Sequence, residues 1–157
     1  MEETLIEKLE LKHILPYANF NLKGKVKDYV SGTFEDSPEI WEDQQIESID
    51  INDKIICFAD AGDVYLDFPN EVKFIPYLRS LSQLTEEIEH NGEMVNVLGD
   101  ELKLFQESVV GNKIVDFRTG VEIPIEHLEY KRVEILLKYH FDVFGLIEKG
   151  LAIEKTV

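Results

Sequence analysis

Leu5, Ile6, Leu9, Leu11, Ile14 and Leu15 recur at the three- and four-residue spacing of one helix face, which predicts a helix over 2–15. Glu2 and Glu3 suit the positive end of its dipole. Pro16 stops it, because the residue before a proline avoids helical geometry. From Asn21 to Phe68 the period drops to two. Leu22, Val26 and Val30 fall on one side, with Lys23, Lys25, Lys27 and Tyr29 on the other. Ile49 and Ile51 alternate with Ser48, Asp50 and Asn52, and Val64, Leu66 and Phe68 with Asp63, Tyr65 and Asp67. Strands with one buried face read this way. The unbroken apolar run at 55–59 fits a central strand. The stretch from Glu35 to Asp43 carries Pro38 and Trp41 among its acids, and predicts a surface loop between the first two strands. Ala61-Gly62-Asp63 marks a tight turn.

Beyond Pro69-Asn70 the pattern is mixed. Ser80 or Ser82 can cap a short helix over 83–89, and Ser80-x-x-Gln83 has capping-box spacing. Asn91-Gly92 is a turn signal leading into a strand over 93–97, followed by a short helix over 100–107. Segments 113–117 and 120–123 form a hairpin across Arg118-Thr119. Ile125, Leu128, Arg132, Val133, Leu136, Leu137, His140, Phe141 and Phe144 then hold helical spacing for five turns. Pro124 precedes that helix, Gly145 is placed to kink it, and Gly150 to end it. The sum is one α+β domain over 1–157: an antiparallel sheet of about four to six strands packed against N-terminal and C-terminal helices.

Composition narrows the class. Hydrophobic residues make up 44% and charged residues 31%, enough apolar surface for a packed core and too much for a disordered chain. The single cysteine, Cys57, excludes an internal disulfide and lies in the apolar run, where a buried, inert thiol is expected. No apolar stretch approaches the ~18 residues of a membrane span. Met1-Glu2-Glu3 opens no secretion signal, so the expected setting is cytoplasmic and away from membranes.

Charge changes the picture most. Residues 35–71 carry twelve acidic side chains against one basic one, Lys54, a local net of −11 within a total of −16. Such a field repels nucleic acid and anionic membrane, both of which reward clustered Lys and Arg. It suits a cationic partner. Glu35, Asp36, Glu39, Glu42, Asp43, Asp50, Asp63 and Asp67 are the candidate contact residues. Trp41 lies among them, and a tryptophan ringed by charge suits an interface anchor. Solvated surface is the competing reading for any charged run, but ordinary surfaces mix both signs.

Three segments carry a resemblance. They are Leu11-Lys12-His13-Ile14-Leu15-Pro16-Tyr17, the stretch 73–92 that begins Lys73-Phe74-Ile75-Pro76-Tyr77-Leu78-Arg79, and the stretch 139–153 that begins Tyr139-His140-Phe141-Asp142-Val143-Phe144-Gly145. Together they resemble a group of small, uncharacterised bacteriophage and prophage proteins. The chain departs from that pattern at Ser80, where the group usually has proline, and after Ile153. The resemblance implies a phage protein acting in host bacterial cytoplasm. It implies no activity and carries no catalytic residues.

Catalytic chemistry finds little support. His140-x-Asp142 has the elements of a base and its orienting carboxylate, yet residues two apart on a helix do not face each other. Asp60, Asp63 and Asp67, with Asp50 and Asp53, suggest a cation site but lack the glycine and closing glutamate of a calcium loop. His13, His90 and His127 show no zinc spacing, and no phosphate-binding or dinucleotide loop is present. Lys23, Lys25 and Lys27 form one basic stripe, suited to an exposed or edge strand. The expectation is therefore a non-enzymatic protein with no cofactor and no metal site. It would bind a host protein with a basic surface, such as a nuclease or another nucleic-acid-binding protein, as an anti-CRISPR-like inhibitor does. A virion structural or assembly protein is the alternative, and a metal-assisted hydrolase a weaker one.

Overall fold

The computed structural model describes residues 9–28, 40–58, 63–65, 74–102, 109–116 and 118–155. Contacts group the chain into two compact units, one of 1–77 with 148–153, the other of 78–147 with 154–157. The class is α+β.

The first unit opens with helix α1 (Leu11–Ile14), which continues as a 3₁₀ segment over Leu15–Phe20. The α-helix ends at Ile14, but Leu15 keeps helical dihedrals, φ −53° and ψ −40°, and the 3₁₀ segment runs on through Pro16, so the proline does not stop the helical path as expected. Asn21, in left-handed geometry at φ 55°, turns the chain into β1 (Lys23–Asp28). The sheet continues with β2 (Ile40–Asp50), β3 (Ile55–Phe58), β4 (Asp63–Tyr65) and β5 (Phe74–Leu78). With β10 (Ile153–Glu154) the order is β10-β5-β1-β2-β3-β4, and the pairs from β5 through to β4 are antiparallel.

Alternation along these strands separates a core face from an outer face. Leu22, Gly24, Val26, Ile46, Ile56, Phe58, Phe74 and Pro76 are buried, whereas Lys23, Asp43, Gln45 and Asp50 are exposed. A bulge between Ile46 and Ser48 inserts a residue, so that Ile46 and Ile49 both meet the core side of β3, opposite Phe58 and Ile56. Ile51 leaves the strand and is 59% exposed in the turn, which departs from its expected place beside Ile49 in the core. β5 escapes the period-two reading because Pro76 lacks a ladder donor. Gly24 stands opposite it on β1, and a Cβ there would lie 2.5 Å from both the Ile75 carbonyl and the Phe74 ring. The absent side chain lets the strand pass Phe74, which packs on Phe58 at 5.3 Å.

The second unit is built from short elements. Ser80 caps a 3₁₀ helix over Leu81–Thr85, its hydroxyl accepting from the Ser82 N–H at 3.3 Å. Gln83 does not complete the predicted capping box. Its side-chain amide donates to the Lys155 carbonyl at 2.7 Å. β6 (Ile88–His90) and β7 (Glu93–Val95) form a hairpin across Asn91-Gly92, both with positive φ as this turn demands. A π-helical turn follows over Val97–Leu102. β8 (Val109–Val110) pairs with β9 (Lys113–Ile114), and a bridge between Val115 and Glu122 makes the predicted hairpin around Arg118-Thr119.

The C-terminal helix is shorter than its periodicity predicts. α2 spans Tyr130–Lys138 only, preceded by a 3₁₀ turn over Ile125–His127. It ends where His140 adopts left-handed geometry at φ 60°. The His140 N–H donates to the Leu137 carbonyl at 3.0 Å and the Phe141 N–H to the Leu136 carbonyl at 2.9 Å, the two bonds of a Schellman cap. Phe141 and Leu136, both fully buried, supply its hydrophobic contact. They join Leu81, Leu84, Ile88, Val97, Leu98 and Tyr139 in this unit's core cluster.

Candidate functional site

The structure moves three predicted residues, Trp41, Glu42 and Asp43, out of a loop. Trp41 and Glu42 belong to β2, paired with Lys27 and Val26 of β1, because the strand begins at Ile40. The surface-loop reading of 35–43 is thereby corrected for its last four positions. Glu35, Asp36, Glu39 and Asp67 lie outside the described residues, as does Asp60 of the suggested cation group.

Register brings part of the acidic set together. Positions 41, 43 and 45 lie opposite Lys27, Lys25 and Lys23 on the outer face. Beyond the bulge Ser48 and Asp50 share that face, opposite Cys57 and Ile55 of β3, and these in turn lie opposite Asp63 and Tyr65 of β4. Position 42 is out of phase, opposite the buried Val26. The outer face thus carries Asp43 and Asp50, both exposed, and positions 41 and 63 share their phase in the register.

The same register answers where the lysines go. They do not line an edge. β1 lies between β5 and β2, so its basic stripe runs alongside the acids of β2. Lys25 stands opposite Asp43 and Lys23 opposite Gln45, so the described residues of this face carry both signs.

Two carboxylates have local work. Asp43 accepts a short hydrogen bond from the Tyr77 hydroxyl. Burial, and then Asp43, push that hydroxyl up to about 12. Asp50 accepts from the Asn52 N–H at 2.9 Å and the Asp53 N–H at 3.1 Å, folding the turn that Lys54 closes at φ 54°. Tyr77 is the functional neighbour that sequence reasoning missed. It follows Pro76, and its partner is 34 positions away.

A second polar cluster lies in the other unit. Arg79 is 1% exposed, with Nη1 donating to the Tyr139 carbonyl at 2.9 Å and Nη2 to the Glu89 carbonyl. Its Nε has no hydrogen-bond partner among the described residues. The His90 ring packs edge-on against Tyr139 at 4.8 Å and His140 at 5.4 Å. Tyr139 donates to Glu101 at 3.0 Å, and burial with that carboxylate pushes it up to about 12. Asp142 has a structural task of its own. Its carboxylate accepts from the Leu146 and Ile147 N–H groups at 2.8 and 2.9 Å, so it shapes the following turn. No group of three His, Cys, Asp or Glu placed to hold a metal occurs among the described residues. Nor, among them, is any helix long and apolar enough to cross a membrane.

Comparison of the chain with protein families, with curated proteins and with solved structures yields no match.

Proposed function

We propose that this chain is a non-enzymatic phage accessory protein that binds a basic surface of a host protein through the outer face of its first sheet. The occupied surface would be one that otherwise holds nucleic acid, which makes the chain a counter-defence inhibitor. The observation that carries the reading is the strand register. It sets positions 41, 43, 50 and 63 in one phase of the sheet, although they span 23 positions of sequence. Carboxylates arrayed across a sheet stand in for phosphates, and a tryptophan within the array gives the interface an anchor. The β1 lysines sharpen the reading. They place the acidic band toward β2, β3 and β4, and set a basic margin that orients the partner.

Association kinetics with the partner test this. Outlying charges act on the encounter, so Asp50→Asn with Asp63→Asn should slow association more than it speeds release. Trp41→Ala should mainly speed release, as loss of an anchor does. The protein should compete with DNA or RNA for the partner while binding neither. Direct binding of nucleic acid at physiological salt would overturn the proposal and point to Lys23, Lys25 and Lys27.

A further inference from the structure

We propose that His90 and the buried Arg79 form an acid-released latch that holds the β6–β7 hairpin against the C-terminal turn of α2. Arg79 is the tie. One Nη reaches the Glu89 carbonyl on the hairpin, the other the Tyr139 carbonyl at the end of α2. Its main chain ties the same turn, the Arg79 N–H donating to the His140 carbonyl at 2.7 Å and its carbonyl accepting from the Asp142 N–H at 2.8 Å. His90 is the sensor. Its ring fills the space between the hairpin and the turn, edge-on to both Tyr139 and His140. His140 holds its place in left-handed backbone geometry that a non-glycine residue adopts at a cost, so the turn is under local strain that packing must offset.

The charges around His90 set the response. Arg79 approaches from the end of β5, Lys138 from α2, where its Nζ sits 5.2 Å from the Tyr139 ring, and Lys155 from the chain's end. Glu93 lies directly across the hairpin, Glu89 precedes His90, and Glu101 is engaged by the Tyr139 hydroxyl. The Nη donors of Arg79 meet carbonyls rather than carboxylates, so a proton on His90 places a second cation beside an incompletely offset one. Burial, and then Arg79, Lys155 and Lys138, push the closed imidazole down to about 4. An opened hairpin returns it to about 6.5. The open form therefore takes up the proton first. The latch is fully closed above pH 6.5, weakens as pH falls from 6.5 to 4, and loses no more below that.

Amide hydrogen exchange on the full chain tests this between pH 7 and 4.5, each rate taken relative to the intrinsic rate of that amide. The population of open hairpin over Ile88–His90 and Glu93–Val95 should rise on acidification by up to roughly tenfold per pH unit. Ile56 and Phe58 of the first unit should not follow. His90→Phe should keep the hairpin protected at both ends of the range. Uniform protection in the wild-type hairpin, or acid opening that persists in His90→Phe, would overturn the proposal. Should His90→Phe fail to fold, imidazole NMR titration of the wild type decides. A midpoint below 5 supports the latch, and one near 6.5 overturns it.

Discussion

Gly24 is the closest approach in the first unit's sheet, where any Cβ meets the Phe74 ring and the Ile75 carbonyl. Gly24→Ala should therefore destabilise by about 1–3 kcal/mol, read from the urea midpoint, although alanine is otherwise the better strand residue. Asp142 makes a comparable case from hydrogen bonding. Asp142→Ala strands two N–H groups, one of them buried, and should cost about 1–3 kcal/mol in the same assay. Tyr77 and Tyr139 report on pH. Both are held near 12 in the fold against 10 when free, so their contribution is intact below pH 10 and is lost as pH rises toward 12. Tyr77→Phe should therefore be less stable than the wild type below pH 10, and the difference should shrink as pH rises toward 12, read from urea midpoints across that range. None of these roles was legible in the sequence. Gly24 was one member of an alternating run, Asp142 a possible orienter of His140, and Tyr77 one residue of a segment read as mixed. Each role depends on a neighbour brought close by pairing or by a turn, and periodicity carries no information about that.

Elements were more legible than residues, because apolar periodicity reflects burial directly. β1, β3 and the Asn91-Gly92 turn lie where the pattern put them, but the arm before that turn is strand β6, where the pattern put a helix over 83–89. The errors have physical causes. Pro76 masked β5, the bulge changed the phase of β2, and an early β2 start took Trp41 out of its loop. α2 stopped short of its apolar stripe because a Schellman cap ended it at Tyr139, with histidine in the place where glycine is usual. Apolar residues beyond the cap, such as Phe141, remain buried without being helical, which is why spacing alone extended the helix. The helix itself makes a clear prediction. Leu136→Ala, at a fully buried site, should cost about 2–5 kcal/mol, while Tyr130→Ala, at a site 83% exposed, should stay within about 0.5 kcal/mol. Equal denaturant midpoints for the two variants would contradict the assignment of the buried face.

At the scale of the whole molecule, charge is the dominant property. It was fully visible in sequence as a net −11 over 35–71. What sequence did not show is its geometry: a register in which Lys23 and Lys25 of β1 lie alongside Asp43 of β2. Exposed charges more than a Debye length apart, about 8 Å at physiological ionic strength, scarcely interact, so the salt response belongs to the contact band and not to the total charge. Asparagine is the proper probe of that band. It keeps the acceptor that Tyr77 needs at position 43 and the one that folds the turn at position 50, and removes only charge. The direct test is capture from host lysate by the wild type and by a variant carrying Asp43→Asn, Asp50→Asn and Asp63→Asn, each eluted by salt and by competing DNA. The account predicts a partner held by the wild type, released by either eluent, and lost from the variant. A partner held equally by the variant, and indifferent to salt and DNA, would contradict it.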